Sequence, residues 1–208
     1  NERGPMDSVG VDVARGRHDT MIEGDKFCVA TRYGGWFDQI SSYNGSMAST
    51  GAEGASLVMK DLKDQAPIHV DVAGVGSSVF DHLYENGLQT LAVNNASKAL
   101  GMDRTGKLRF INRRAEMYWA LRDCLDPGNP DSWIALPPDP ELKADLCCAM
   151  WELRGNGIKI ESKDEIIKRI GRSPDKGDAI LLANIATMRE THYDDEYDFA
   201  QDNKSTVT

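Results

Sequence analysis

The run Val9-Gly10-Val11-Asp12-Val13 places one carboxylate inside an otherwise apolar segment. A second run, Ile68-His69-Val70-Asp71-Val72-Ala73, repeats this arrangement and is followed by the turn Gly74-Val75-Gly76. Short apolar runs bounded by polar or glycine-rich turns predict buried β-strands. A charge inside such a strand is costly to bury unless it is paired or bound to a metal ion. The two runs therefore predict two core strands, each with a candidate functional acid.

The periodicity of the remaining sequence predicts the elements around these strands. We expect further strands over residues 20–23, 27–33 and 90–93, and a hairpin over residues 151–160. Helical spacing predicts helices in the second half of residues 46–64 and over residues 76–87, 113–125, 140–150, 162–169 and 175–189. Three antiparallel strands followed by α/β crossovers indicate an α/β fold, with a mixed β-sheet of about five main strands flanked by α-helices.

The composition limits the classes of protein that the chain can represent. No run of about 18 apolar residues is present, so we expect no membrane span and no membrane partner. The beginning of the sequence has no signal-peptide pattern. The four cysteines form no Cys-x-x-Cys pair, which favours a reduced, cytoplasmic setting: Cys28, Cys124, Cys147 and Cys148.

The charge is unevenly distributed along the chain. The net charge of −9 argues at first against a nucleic-acid partner, but residues 190–208 hold six acids against one base. We predict a folded domain over residues 1–190 and an acidic, disordered tail over residues 191–208. Residues 98–114 hold six bases against one acid, Asp103. A nearly neutral body with one basic stretch is compatible with DNA binding, or the stretch is a solvated loop.

A third group of acids stands at the beginning of the last predicted helix. Asp175 and Asp178 are three residues apart and therefore share one helix face. The carboxyl ends of neighbouring parallel strands meet at one edge of a sheet, where Asp12 and Asp71 would lie close together. Three carboxylates from two strands and a helix can hold two Mg²⁺ or Mn²⁺ ions about 4 Å apart. Each acid alone is also explained as a strand-end or helix-end cap.

Two glycine motifs resemble nucleotide sites and depart from both patterns. The segment Gly74-Val75-Gly76-Ser77-Ser78-Val79 has valine where a dinucleotide fingerprint has its third glycine. The segment from Gly101 to Lys107 has the spacing of a Walker A loop, but Leu108 stands where serine or threonine would bind Mg²⁺. We interpret the first motif as a tight turn beside Asp71 and expect no nucleotide at the second.

Four segments together resemble the C-terminal nuclease domain of the large terminase subunit of tailed bacteriophages. They are Val9-Gly10-Val11-Asp12-Val13-Ala14-Arg15-Gly16, Val70-Asp71-Val72-Ala73-Gly74-Val75-Gly76, Phe110-Ile111-Asn112-Arg113-Arg114-Ala115-Glu116-Met117-Tyr118-Trp119 and Gly171-Arg172-Ser173-Pro174-Asp175-Lys176-Gly177-Asp178-Ala179. The resemblance implies an RNase H-like fold and two-metal DNA cleavage. It implies that Asp12, Asp71 and Asp178 are catalytic metal ligands, and that Asp175 and Asp19 are auxiliary carboxylates.

The same resemblance implies partners and a setting. The substrate would be double-stranded concatemeric phage DNA in the cytoplasm of the bacterial host. The other partners would be the portal, the small terminase subunit and an ATPase domain, which has no counterpart in this sequence. The candidate DNA contacts are Arg104, Lys107, Arg109, Arg15 and Arg17. The alternatives are another RNase H-like nuclease of the resolvase or transposase type, a nucleotide-binding module, or a docking module of the packaging machine.

Overall fold

The structure is a computed structural model that describes residues 4–14, 25–130 and 133–192. Its strands are β1 (Ser8–Asp12), β2 (Lys26–Tyr33), β3 (Trp36–Phe37), β4 (Ser41–Asn44), β5 (Ile68–Asp71), β6 (Thr90–Val93), β7 (Arg109–Phe110), β8 (Trp151–Arg154) and β9 (Gly157–Ile160). Its helices are α1 (Gly51–Asp61), α2 (Gly76–Glu85), α3 (Arg113–Leu125), α4 (Pro140–Cys148), α5 (Lys163–Ile170), α6 (Asp175–Ala183) and α7 (Ile185–His192), with a 3₁₀ turn at Gly45–Ala48. None of the described helices is both long and apolar enough to cross a membrane.

The main sheet is mixed, as the sequence predicts. Its strand order is β3-β2-β1-β5-β6, and β4 also pairs with β2. The pairing of β1 with β2 is antiparallel, whereas β1, β5 and β6 are parallel to one another. Val11 lies opposite Val70, so β1 and β5 reach their carboxyl ends at the same level. This register places Asp12 and Asp71 at one edge of the sheet.

The two faces of the sheet are covered by different helices. Val9, Val11 and Ile68 belong to a core shared with α1 and α2 on one face. Cys28 and Ala30 of β2 belong to a second core, which includes α3, α6 and α7. Because successive side chains of a strand point to opposite faces, Asp12 and Asp71 project to the side of α6.

Gly10 permits the close approach of α6 to the sheet. A Cβ atom at Gly10 would lie 2.2 Å from the carbonyl oxygen of Ala179 and 2.3 Å from the amide nitrogen of Ala183. Any larger residue would therefore force α6 away from β1. The first turn of α6, which carries Asp175 and Asp178, is placed at the end of β1 by this contact.

The structure adds strands that the sequence does not predict and interrupts one predicted helix. β3 and β4 follow β2 along the chain and both pair antiparallel with it; the strand predicted over residues 20–23 lies outside the described residues. The sequence of β4, Ser-Ser-Tyr-Asn, is polar and half-exposed, so it lacks the apolar signal of a strand. The helix predicted over residues 175–189 is interrupted at Asn184, whose Oδ1 accepts a hydrogen bond from Thr187. Such local side-chain bonds are why asparagine favours helix ends.

Candidate metal centre

The two strand acids lie at the carboxyl ends of neighbouring strands, as predicted. Asp12 ends β1 and is buried, whereas Asp71 ends β5 and is half-buried. The Oδ1 of Asp71 accepts a hydrogen bond from the amide of Ala73 at 3.0 Å. A Cβ atom at Gly76 would lie 1.7 Å from the carbonyl oxygen of Asp71. The glycine is therefore needed for the tight turn beside Asp71.

The two helix acids lie in the first turn of α6 and are both buried. The Oδ2 of Asp175 accepts a hydrogen bond from the backbone amide of Lys26 at 2.7 Å. The Oδ1 of Asp178 pairs with Nη1 of Arg114 at 2.8 Å. Each acid thus has one oxygen held by a donor of the protein, which leaves its second oxygen directed toward a common point.

That common point is the ammonium group of Lys163, the first residue of α5. Its Nζ lies 3.1 Å from Oδ2 of Asp12, 3.3 Å from Oδ1 of Asp175 and 3.3 Å from Oδ2 of Asp178. Three buried carboxylates from a strand and a helix therefore surround one cation. In this cluster the cation is the lysine side chain itself.

The electrostatics of the cluster reflect this crowding. Burial raises the pKa of Asp12 well above its usual value, and Asp178 and Asp175 raise it further against the opposing effect of Lys163. Burial also raises the pKa of Asp71. The amide of Ala73 and the charges of Lys163 and Arg114 oppose this rise, and the charge of Asp178 adds to it. Burial lowers the pKa of Lys163, but the three surrounding carboxylates raise it well above its ordinary value. Carboxylates that repel in this way remain ionised together only beside a cation.

The donor set suits a hard divalent cation in chemistry but not in its present spacing. Carboxylate oxygens are the ligands that Mg²⁺ and Mn²⁺ prefer, at about 2.0–2.1 Å for Mg²⁺. Within residues 4–14, 25–130 and 133–192, no three acidic, histidine or cysteine side chains are arranged to hold a metal directly. Oδ1 of Asp175 and Oδ2 of Asp178 are nevertheless buried and, beyond their ion pairs with Lys163, accept no hydrogen bond from the described part of the chain. In their chemistry, though not in their present spacing, these inward oxygens are of the kind that bind Mg²⁺ or Mn²⁺.

Sequence reasoning missed Lys163 and the role of Arg114. Ser162 and Glu165 form a capping box, which places Lys163 in the first turn of α5. A cation is unfavourable at that end of a helix because of the helix dipole, and this unfavourable position was the available signal. Arg114 was counted in the basic stretch, but it is buried against Asp178, and Arg113 is buried against Glu116. The exposed basic surface is therefore smaller than the sequence predicts.

Of the remaining predicted site residues, three lie on the segment 102–109 and three lie outside the described residues. Asp19, Arg15 and Arg17 fall outside the described residues. The segment 102–109 is called the basic finger here, and its two ends pair through a bridge between Met102 and Arg109. It carries three predicted DNA contacts, all exposed: Arg104, Lys107 and Arg109.

The turn of the basic finger is organised by an acid. Oδ1 of Asp103 accepts hydrogen bonds from the amides of Lys107 and Leu108, at 3.0 and 2.7 Å. Its Oδ2 accepts one from the hydroxyl of Thr105. A phosphate held by a Walker A loop would need amides of this kind. Since these amides already bond an acidic side chain, the finger offers them to no phosphate in this conformation.

Comparisons with known proteins relate the fold to one group of solved structures. No family model matches the chain, and no curated protein matches it. The nuclease domain of the large terminase subunit gp2 of bacterial virus Sf6 is 20% identical, with a TM-score of 0.65 over 88% of this chain and 89% of that one. A mutant of that domain, solved with manganese and β-thujaplicinol, has the same identity and coverage and a TM-score of 0.67.

A second bacterial virus provides a more distant likeness. The large terminase nuclease of thermophilic phage G20c, solved with bound magnesium, is 14% identical, with a TM-score of 0.56 over 86% of this chain and 80% of that one. At such identities the likeness establishes the fold. The chain has the mixed α/β, RNase H-like fold of the large-terminase nuclease domains of bacterial viruses.

Proposed function

We propose that this chain is the divalent-metal-dependent DNA endonuclease domain of a viral DNA-packaging terminase, which cuts concatemeric phage DNA. The observation that carries the proposal is the convergence of three buried carboxylates on one cation at the carboxyl end of β1. The same fold is found in terminase nucleases solved with manganese and with magnesium, which supports this assignment.

The metal site would be held by Asp12, Asp71 and Asp178, with Asp175 as a fourth carboxylate. Two bound ions of Mg²⁺ or Mn²⁺ would supply an activated water and stabilise the leaving 3′-oxygen of the cleaved phosphodiester. Arg114 holds one oxygen of Asp178, and the backbone of Lys26 holds one oxygen of Asp175. Both helix acids therefore present a single, pre-oriented oxygen, which makes Asp175 as suitable a direct ligand as Asp178.

Lys163 has a distinct part in this proposal. Its ammonium lies where the inward oxygens of Asp12, Asp175 and Asp178 meet, so it neutralises their repulsion before a metal binds. An ammonium and a divalent ion cannot share that position. Metal binding therefore requires the side chain of Lys163, which is one third exposed, to turn outward.

The proposed substrate is double-stranded DNA, and the proposed setting is the packaging machinery in the bacterial cytoplasm. Contacts to phosphate are assigned to three exposed residues of the basic finger: Arg104, Lys107 and Arg109. Arg15, Arg17 and Asp19 stay candidates from the sequence alone. The portal, the small terminase subunit and a terminase ATPase domain are the proposed protein partners.

A plasmid-cleavage assay tests the proposal. We expect the full chain to nick and linearise supercoiled DNA with Mn²⁺ or Mg²⁺ and to do neither with EDTA. Asp12→Asn removes one central carboxylate charge and should abolish cleavage. Asp81→Asn, at an exposed acid of α2, removes the same charge outside the cluster and should leave cleavage unchanged. Cleavage that survives EDTA or Asp12→Asn would overturn the metal-dependent mechanism.

A further inference from the structure

Asn95 contacts Asp71 of the proposed metal site and lies on the segment that follows β6. The parallel pairing of β5 with β6 sets Asp71 opposite Val93, and Asn95 comes two residues later. Its Nδ2 donates a hydrogen bond of 2.7 Å to Oδ2 of Asp71. Because Ala73 already donates to the other oxygen, both oxygens of this carboxylate have a protein donor. The orientation of Asp71 is therefore fixed on two sides.

The main chain of Asn95 also contacts Arg114, the residue that pairs with Asp178. Its carbonyl oxygen accepts a hydrogen bond of 3.0 Å from the amide of Arg114. The guanidinium of Arg114 in turn pairs with Oδ1 of Asp178. One residue thus connects the strand ligand Asp71, through its side chain, with the helix ligand Asp178, through the beginning of α3.

The side-chain oxygen of Asn95 indicates that this residue does more than fill space. Its Oδ1 is buried and has no hydrogen-bond partner in the described part of the chain. A buried amide oxygen without a hydrogen-bond partner lowers stability, so stability alone does not explain an asparagine at this position. The neighbouring Asn94 differs, since it is exposed and its Oδ1 accepts the amide of Ala96 in a local turn.

We propose that Asn95 is a positioning residue of the metal site, which orients Asp71 for the ion and links it to the Arg114–Asp178 pair. The proposal rests on the metal-dependent function proposed above. Hydrogen bonds of this kind to a ligating carboxylate orient it, and their loss typically weakens metal affinity about 10- to 100-fold.

The test measures Mn²⁺ affinity by calorimetry and thermal unfolding in EDTA, both on the full chain. Asn95→Ala removes the donor to Asp71 and keeps the main-chain bond to Arg114, so we expect a 10- to 100-fold weaker Mn²⁺ affinity with little change in unfolding. Asn95→Ser keeps a shorter donor and should fall between Asn95→Ala and the wild type. Asn94→Ala is the matched control and should bind Mn²⁺ as the wild type does.

Each other outcome has a separate meaning. Wild-type affinity in Asn95→Ala would overturn the positioning role and leave the proposed function intact. A wild-type chain that binds no Mn²⁺ would overturn the proposed function and the positioning role together. If both Asn95 variants lose affinity only in proportion to the protein that unfolds, the residue is structural and the inference is wrong.

Discussion

Replacing Lys163 by methionine separates its charge from its bulk and tests the competition between the ammonium and a metal ion. In the wild type the ammonium lies 3.1–3.3 Å from three carboxylates. The variant leaves these carboxylates facing one another without a cation. We therefore expect Lys163→Met to be less stable than the wild type in EDTA and to bind Mn²⁺ more tightly.

The magnitude of both effects follows from one quantity. Removing one partner of a fully buried ion pair costs about 3–5 kcal/mol. The side chain of Lys163 is 33% exposed, so solvent screening reduces the expected loss to about 2–3 kcal/mol. If the ammonium leaves the site when the metal enters, Mn²⁺ affinity rises by that same free energy, or about 30- to 140-fold. The unfolding temperature in EDTA should fall by about 4–12 °C.

Calorimetric titration with Mn²⁺ and thermal unfolding in EDTA measure the two effects. Lys168→Met, at an exposed lysine of the same helix, is the matched control and should change neither. If the ammonium leaves when Mn²⁺ enters, the loss of stability and the gain of affinity should agree in free energy. A variant that loses stability but binds Mn²⁺ no more tightly than the wild type would refute this exchange, because Lys163 would then remain in the metal-bound site.

Three further changes test other parts of the account. The pKa of Asp12 is raised by burial, so its contribution to stability is full below the unfolded pKa and is lost as pH rises through the folded pKa. Asp12→Asn should therefore be more stable than the wild type at neutral pH in EDTA, and should flatten the fall in unfolding free energy as pH rises above the ordinary aspartate pKa. Gly10→Ala should cost about 1–3 kcal/mol or more and weaken Mn²⁺ binding, because the new Cβ would collide with Ala179. The triple charge reversal of the basic finger combines Arg104→Glu, Lys107→Glu and Arg109→Glu. It should weaken DNA binding, and the slope of log binding constant against log salt concentration should become shallower by about 0.9 for each lost phosphate contact.

Each of these changes has a control and a contradicting result. An Asp12→Asn variant less stable than the wild type in EDTA would show that its charge stabilises the metal-free cluster. Gly4→Ala adds a Cβ in open space, and equal effects at Gly4 and Gly10 would contradict the packing argument. Reversal of three exposed lysines elsewhere matches the charge of the finger variant, and an equal loss of DNA binding would remove the finger's special role: Lys63, Lys143 and Lys168.

The core strands were predictable from their apolar runs, and their acids were predictable because a charged side chain inside such a run departs from the usual burial of apolar residues alone. Asp12 and Asp71 are charges inside apolar runs, and the alternation of strand side chains places both on the α6 side of the sheet. The mixed sheet followed from the order of strands and helices, and the structure confirms it. The turn beside Asp71 was also predictable, since its glycines fit a tight backbone better than a nucleotide.

The missed features are those that only tertiary contacts decide. Lys163 is distant in sequence from Asp12, and no local pattern indicates which side of α5 faces the sheet. In the sequence, Arg113 and Arg114 at the beginning of α3 resemble part of a basic surface. In the structure both are buried and ion-paired, with an acid of α3 itself and an acid of α6. The polar strand β4 pairs with β2 without the apolar alternation from which strands are recognised.

Anomalous diffraction from a crystal of the wild-type chain soaked in Mn²⁺ tests the central claim most directly. We predict manganese density between the carboxylates of Asp12, Asp71 and Asp178, with the ammonium of Lys163 moved out of the cluster. Asp12→Asn crystals soaked in the same way should show that density reduced or absent. An undisturbed Lys163 among the carboxylates of Asp12, Asp175 and Asp178 at saturating Mn²⁺, with no manganese beside Asp12, would contradict the account.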